Sequence, residues 1–486
     1  MLYIGLDVGT TAAKAVVVDE TGAIRGKGYR EYELSFPREG QVEQNAEDWW
    51  AASVAAVREA TAALPDRAMI RGIGLSTQGA TMLAADENGN PLAPCLTWMD
   101  RRAVDEAQAL ADAVGAETVY KKSGWRVSPS CDAAKILWIR RHQPELFAKT
   151  ARFLSTLEFM NQRLCGRAVI DPTNAAIRQM LDITTGQWDP EILAVLGITP
   201  EKLPEVLPVG APVGTLTAAA AEALGLSRDV TVYNGAHDQY CAALGAGAVN
   251  EGDMLLATGT TWVVLGVTAQ PLFTPSHIAP GIHPAAGLYG AMASLVSAGS
   301  SLKWFRRLVD GDFADLDRGA AERAQSAADL LCYPYLCGAG FPHGQPNVRG
   351  SFVGLDLHHD KYDLARALME GVAFETALTL EEFSARGMGV SRLMMTGGAS
   401  KSRLWSELVG YITGCEIYRM QEPDTGCVGA AMIAAVGLHD FADYSAAAKA
   451  LVHAEPLPLP DAALREFYKE KAARYRAGLT RAHAAP

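Results

Sequence analysis

Three short apolar runs open the chain: Leu2, Ile4 and Leu6, then Ala15 to Val18, then Ile24 beyond Asp19-Glu20-Thr21-Gly22. Runs of this length, broken by polar turns that carry glycine, predict two successive hairpins, the first reversing at Asp7-Val8-Gly9-Thr10-Thr11. The pattern returns at Met254 to Ala257, Thr258-Gly259-Thr260-Thr261 and Trp262 to Leu265. Strand, Gly-Thr-Thr reversal and strand therefore occur twice, each time at the start of one half. Between them Asn45 is placed to cap a helix with Trp50, Val54, Val57 and Leu64 at helical spacing, stopped by Pro65. Ile70 to Leu75 predicts a buried strand, and Asn88-Gly89 predicts a hairpin between Thr81–Ala85 and Leu92–Leu96.

From about 103 to 227 the pattern is mainly helical, with Ala133 to His142 and Leu157 to Leu164 as its clearest helices, the latter ended by Gly166. Asp171-Pro172-Thr173-Asn174 falls on a loop with no chemistry of its own. Val230 to Tyr233 returns as a strand leading to a small-residue helix, Tyr240 to Gly247, which Asp238 begins. Strands follow at Trp262–Gly266, Leu288–Ala293 and Leu393–Met395, and helices at Ser301–Val309, Tyr362–Glu382 and Gly429–Val436. Leu404, Trp405, Leu408 and Ile412 share one helical face, and Ala462 to Ala485 predicts an amphipathic surface helix.

At 486 residues the chain exceeds one ordinary hydrophobic core, which predicts two domains, 1–247 and 248–486. A formal charge of −12 argues against a nucleic-acid surface, since backbone phosphates need a dense basic face. The eight cysteines include no Cys-x-x-Cys pair and suit a reducing compartment. No apolar run approaches ~18 residues, so a cytoplasmic enzyme without a membrane span is expected.

The candidate chemistry gathers at strand ends. Gly9 lets a ligand approach the backbone, and Thr10 and Thr11 bring donors without sheet partners, a set suited to phosphate oxygens; Gly259, Thr260 and Thr261 repeat it. Two such turns facing one another would grip a polyphosphate from both sides. Asp7, closing a buried strand, calls for a cation or donors, and Mg²⁺ held through water would serve. Gln78, in the loop Ser76–Thr81, either meets a substrate hydroxyl or bonds its own backbone. Trp98 beside Asp100 and Arg102 offers a ring face and hydrogen-bonding groups to a polyhydroxylated ligand, or packs beneath a helix that Asp100 caps. Asp238 reads as a helix N-cap or as a proton acceptor aimed into a cleft. Gly397-Gly398 exposes bare backbone to a flat group such as adenosine, or allows close packing. Gly245-Ala246-Gly247 half-resembles a dinucleotide loop but follows a helix instead of a strand.

In their order and spacing these motifs resemble the FGGY carbohydrate kinases, most nearly the xylulose-kinase-like branch. The resemblance rests on Gly5-Leu6-Asp7-Val8-Gly9-Thr10-Thr11 with Lys14, Trp98-x-Asp100-x-Arg102, His237-Asp238-Gln239, Thr258-Gly259-Thr260, Gly397-Gly398-Ala399-Ser400-x-Ser402 with Trp405, and Gly429-Ala430-Ala431. It implies an α/β fold of two ribonuclease-H-like domains, the actin/hexokinase-type ATPase design, with ATP and Mg²⁺ in the interdomain cleft. Asp238 would be the catalytic base, Asp7 would orient hydrated Mg²⁺, and Gly9, Thr10, Thr11, Lys14, Gly259, Thr260 and Thr261 would hold phosphates. Gly397, Gly398, Ala399 and Ser402 would cover the adenosine; Gln78, Trp98, Asp100, Arg102, Asp238 and Gln239 would hold a small sugar or polyol. A ketopentose such as xylulose fits best, and a homodimer is allowed. The loop Thr77-Gln78-Gly79 lacks the Gln-Met-His-Gly typical of xylulose kinases, and Gly79-Ala80 stands where glycerol kinases typically carry Arg-Glu. Two rivals are an actin- or chaperone-like ATPase, whose hydrolysis would ignore sugar, and a non-catalytic sugar-binding regulator.

Overall fold

The computed structural model describes residues 1–324 and 326–484. Two sheets dominate it. The first contains β1 (Leu2–Val8), β2 (Ala12–Asp19), β3 (Ile24–Glu31), β4 (Ile70–Thr77), β5 (Pro212–Thr215) and β6 (Thr231–His237), in the order β5-β6-β4-β1-β2-β3. The second contains β7 (Met254–Thr258), β8 (Trp262–Thr268), β9 (Ala279–Ile282), β10 (Tyr289–Leu295), β11 (Arg392–Gly397), β12 (Glu416–Met420) and β13 (Ala454–Pro456), in the order β9-β10-β8-β7-β11-β12-β13. In each sheet the leading hairpin is antiparallel and its first strand then pairs in parallel with a later one, β1 with β4 and β7 with β11. The strand-turn-strand repeat thus marks a repeat of topology.

Five helices bear on the site: α1 (Ala46–Thr61), α2 (Asp238–Gly245), α3 (Lys361–Ser384), α4 (Arg403–Thr413) and α5 (Thr425–Gly437). Asn45 caps α1 as expected, accepting from the Glu47 N–H. The buried face follows the predicted Trp50/Val54/Val57/Leu64 stripe only in part: Val57 is buried, while Trp50, Val54 and Leu64 are half-buried against the core. Trp49, Ala52, Ala56, Val57 and Ala60 go inward, because Gly26 and Gly28 of β3 bring the strand so close that an added Cβ would lie 1.9 Å from the Ala60 and Ala56 carbonyl oxygens. Those glycines also hid most of β3, whose Arg25 and Lys27 read as polar.

Helix α5 lies late in the chain yet packs on the first sheet. Added Cβ atoms at Gly5 and Gly74 would sit 1.7 and 1.9 Å from the carbonyl oxygens of Cys427 and Ala430. Gly429 meets α2 in the same way, 1.9 Å from the Cys241 oxygen. The Gly-Ala-Ala motif is therefore a seam where strand, helix and helix touch backbone to backbone. It places the N-terminus of α5, Thr425 and Gly426, between the two sheets.

The stretch 103–227 is largely helical as predicted but also supplies β5, an edge strand hidden by Pro212 and Gly214. The C-terminal helix Ala462–Ala484 is more than a surface element: Tyr475 donates to Glu375 at 2.7 Å and Lys471 to Glu370 at 2.6 Å, all buried. Its predicted last residue, Ala485, lies outside the described residues.

Candidate active site in the interdomain cleft

The first hairpin turn is held from three sides. Gly9 N–H donates to Ala12 O at 3.0 Å, Tyr32 Oη donates to Gly9 O, and Gln44 Nε2 donates to Thr10 O at 2.5 Å. Trp98, 45% exposed, donates from Nε1 to Thr10 Oγ1 at 2.9 Å. Gln78 Nε2 in turn reaches Gln44 Oε1 at 2.8 Å. Thr10 of the first turn and the polyol candidates Trp98 and Gln78 therefore form one bonded unit, and among the described residues the Oε1 atoms of Gln78 and Gln239 have no protein partner.

Asp7 precedes this turn. Ser76 Oγ donates to its Oδ1 at 2.6 Å, and burial, reinforced by the charges of Asp238 and Asp424, holds its carboxyl at about 6. Asp238 enters from the other side of β4. Asp7 pairs with Ser76 and Ser76 with Ala236, so the strands bearing the two acids flank one strand, about 10 Å apart. The Asp238 side chain is 34% exposed, with Oδ1 3.4 Å from His237 Nε2.

Two features missed in the sequence fix Asp238. Asp-Pro-Thr-Asn is not the expected loop but the start of a short helix, Pro172–Ile177, with Asp171 as its N-cap. Thr173 Oγ1 accepts from the His237 N–H at 2.8 Å and donates to the buried Asp171 carboxylate at 2.5 Å, so this helix start pins the strand end before Asp238. The His237 ring also fills the space over Gly79, where an added Cβ would lie 2.3 Å from its Cδ2. A side chain at 79 is thus replaced by a histidine from the neighbouring strand. Lys135, fully buried, ties both substrate loops, donating to Ala80 O at 2.8 Å and Thr97 O at 2.7 Å. No local motif singles out these positions, since their partners lie dozens of residues away.

Asp100 and Arg102 need a correction. Asp100 is fully buried; it accepts from Val42 N–H at 2.7 Å and Arg102 Nη2 at 2.8 Å, while Arg102 also reaches Glu43 at 2.7 Å. Both side chains are buried and turned to each other, to Val42 and to Glu43, with the Arg102 guanidinium 5.2 Å from the Trp138 ring, so they brace the loop that carries Trp98. Lys14 likewise pairs with Asp424 at 2.8 Å, which neutralises it at the cleft edge.

The second turn adjoins the glycine pair. Gly398 N–H donates to Thr258 O at 2.8 Å, as Gln78 N–H donates to Val8 O at 3.0 Å in the first half, and Ala399 N–H donates to Thr258 Oγ1 at 3.1 Å. Gly397 takes φ +93°, a conformation that favours glycine, and an added Cβ there would lie 2.8 Å from Thr258 O. Beside it opens a cavity of about 600 Å³ lined by Gly259, Thr260, Gly398, Ala399, Ser402 and Trp405, together with Gly299, Lys303, Phe313 and Asp317, which the sequence reading missed. Ser402 caps α4 through Trp405 N–H and donates to Asp317, so it shapes the wall. Thr396 Oγ1 lies 3.2 Å from Thr425 Oγ1, and an added Cβ on Gly426 would lie 3.6 Å from Asp7 Oδ1. The acid end of the first sheet and the glycine end of the second thus meet at the α5 N-terminus, whose partial positive charge suits phosphate.

A second cavity, about 830 Å³, lies between the lobes and includes Trp98, Ala80 and Ile177 from the first and Pro275–His277, Ser294 and Gly340–Gly344 from the second. Among the described residues no group of three or more His, Cys, Asp or Glu side chains is placed to hold a metal ion. A water-held Mg²⁺ needs only one such carboxylate plus phosphate oxygens, and Asp7, whose Oδ2 has no donor among the described residues, fits that donor set.

Two sheets of one topology facing a shared cleft, one ending in acids and the other in bare glycine backbone, define the two-domain α/β ATPase fold of the actin/hexokinase type. The chain belongs to the FGGY family of carbohydrate kinases, whose N-terminal domain matches residues 2–245 and whose C-terminal domain matches residues 254–438. It is 30% identical over 466 residues to the xylulose kinase of Klebsiella pneumoniae, covering 95% of this chain and 94% of that one. It is 28% identical to the gluconokinase of Bacillus licheniformis, covering 88% and 86%. The structure of a kinase from Brucella ovis described as a xyloylose kinase superposes with a TM-score of 0.92 at 28% identity over the full length of both chains. Gluconate kinase from Lactobacillus acidophilus gives 0.91 at 26%, covering 99% and 98%. No helix among the described residues is long and apolar enough to cross a membrane.

Proposed function

We propose that this carbohydrate kinase transfers the γ-phosphoryl group of ATP to a hydroxyl of an open-chain sugar or polyol, with Asp238 as the base. The observation that carries this reading is the placement of Asp238 and Asp7 on opposite sides of β4 at the sheet end where the phosphate turn, Trp98 and the α5 N-terminus meet. The acceptor hydroxyl gives its proton to the Asp238 carboxylate as its oxygen attacks the γ-phosphorus; the bond to the bridging oxygen breaks and ADP leaves. Thr10, Thr11 and the Gly9 backbone hold phosphate from the first lobe, and Gly259, Thr260 and Thr261 from the second. The glycine-lined cavity takes the adenosine. Mg²⁺, when bound, neutralises charge on the phosphates, and Asp7 would hold it through water. Positioning and charge neutralisation dominate such transfers, so most of the site is backbone and wiring, with a single base.

A ketopentose is the acceptor suggested by the xylulose kinase relatives; a sugar acid is a second reading, favoured by the charge of the interlobe cavity. ADP release screened over pentuloses, hexuloses, alditols and aldonates, with the product identified, tests the function. Sugar-independent ATP hydrolysis would favour an actin-like ATPase, and sugar binding without turnover a regulator.

A further inference from the structure

The interlobe cavity has a distinctive charge. The chain carries 55 Asp and Glu against 43 Lys and Arg, yet among the described residues no Asp or Glu lines this cavity, while Arg101, Arg126, His277 and His343 do. His343 is paired with Glu375 at 3.0 Å. The two arginines are different. Among the described residues neither guanidinium has a carboxylate within ion-pair distance, and the polar contact of the Arg126 side chain is a long one, 3.4 Å, to the Ser276 carbonyl oxygen.

The backbone holds this edge in place. Gln179, at φ +63°, donates from Nε2 to the Arg126 carbonyl oxygen, and His277 stands at φ +58° with its ring edge on Tyr120. The exposed Glu117 lies 4.0 Å from His277 Nε2, at the limit of an ion pair. Arg126 comes from the first lobe and His277 from the second, so an anion bound between them would bridge the lobes.

A neutral ketose or alditol presents hydroxyls that both donate and accept, and a pocket for it needs acceptors as well as donors. Guanidinium groups only donate, and their fork matches a carboxylate. We infer that the acceptor is a polyhydroxylated carboxylate, an open-chain sugar acid, and that Arg126 with Arg101, joined by His277 from the second lobe, forms the subsite for its carboxylate. This rests on the kinase reading above. The names of the relatives include both xylulose and gluconate kinases and do not decide between the two classes.

The test uses the full-length enzyme and matched pairs with one carbon skeleton: gluconate against glucitol, xylonate against xylitol, with xylulose alongside, each assayed for ADP release at saturating ATP and Mg²⁺. We expect kcat/KM for an acid to exceed that for its alditol by about 100-fold or more and to exceed that for xylulose, consistent with hydrogen bonds to a charged group. Arg126→Gln should raise KM for the acid by about 10–100-fold while KM for ATP stays within about 2-fold, and Arg126→Lys should recover part of the loss. Xylulose or an alditol outperforming every acid overturns the inference and leaves the kinase intact. An equal rise in KM for ATP in Arg126→Gln overturns it too, by assigning the arginine to the nucleotide. Absence of turnover with every compound counts against the kinase reading itself and takes this inference with it.

Discussion

The two lobes use one topology for opposite purposes, and the difference lies in a few aligned positions. Setting Gly9 against Gly259 puts Asp7 opposite Ala257, and the parallel partners put Gln78 opposite Gly398, each donating its N–H to the strand end of its own hairpin. The first lobe fills these positions with an acid and a long amide. The second strips them to a methyl group and bare backbone. A carboxylate is useful beside the reacting phosphate and harmful along the rest of a triphosphate, while a glycine pair admits a flat ring that a side chain would block. Duplication of the scaffold thus explains the shared geometry, and side-chain loss or gain explains the division of labour.

Substitutions at these aligned positions sharpen or break the contrast. Among the aligned positions Asp7→Asn should have the largest effect, lowering kcat by about 10²–10³-fold through lost electrostatic support of the phosphates. The same variant should be more stable. The folded-state value of about 6 lies above the ordinary carboxylate value, so ionising Asp7 costs stability as pH rises from about 4 to 6. Asp7→Asn should therefore gain about 1–3 kcal/mol above pH 6 and nothing below pH 4, measured by denaturant unfolding. Equal stability across that range would contradict the burial of this acid.

The glycine and glutamine positions should separate the two ligands. Gly398→Val, whose backbone at φ −64° tolerates a side chain, should raise KM for ATP about tenfold and leave the KM of the acceptor unchanged. Gln78→Gly should do the reverse. If both variants affect both ligands equally, the lobes are not divided as described.

Lys135→Met removes the buried cation that ties the Ala80 and Thr97 carbonyls. It should cost about 2–4 kcal/mol by chemical denaturation and weaken acceptor binding more than ATP binding. The smallest effect is expected at Thr173→Val, a loss of about 3-fold in kcat with KM for ATP unchanged, the size of one neutral hydrogen bond. Thr173→Ser should restore it if the hydroxyl acts by holding the His237 N–H.

Much of this was legible in the sequence because it is local. Gly-Thr-Thr turns, the glycine pair and the acid at a helix start each sit within a few residues, and their repetition exposed the duplicated scaffold. The parts that were hidden depend on distant partners. Asp100 and Arg102 resemble ligand contacts in the sequence, and the partners that hold them buried, Val42 and Glu43, lie more than fifty residues away. Asp171 and Thr173 looked inert because the strand they pin is more than sixty residues later. The buried face of α1 is centred beside the expected stripe, on Trp49, Ala52, Ala56 and Ala60, because two glycines in β3 make alanine the residue that fits. Gly299 and Lys303 escaped notice because no glycine repeat or charged pair marks them as part of the cavity wall beside the glycine pair.

Steady-state kinetics of Asp238→Asn, with ATP and the best acceptor found in the screen, tests the central assignment most directly. Substitution of a partly exposed acid at a helix start should leave the fold and the KM for ATP intact while kcat falls by about 10²–10⁴-fold. A well-folded Asp238→Asn protein turning over at a near-normal rate would contradict the assignment of this residue as the base.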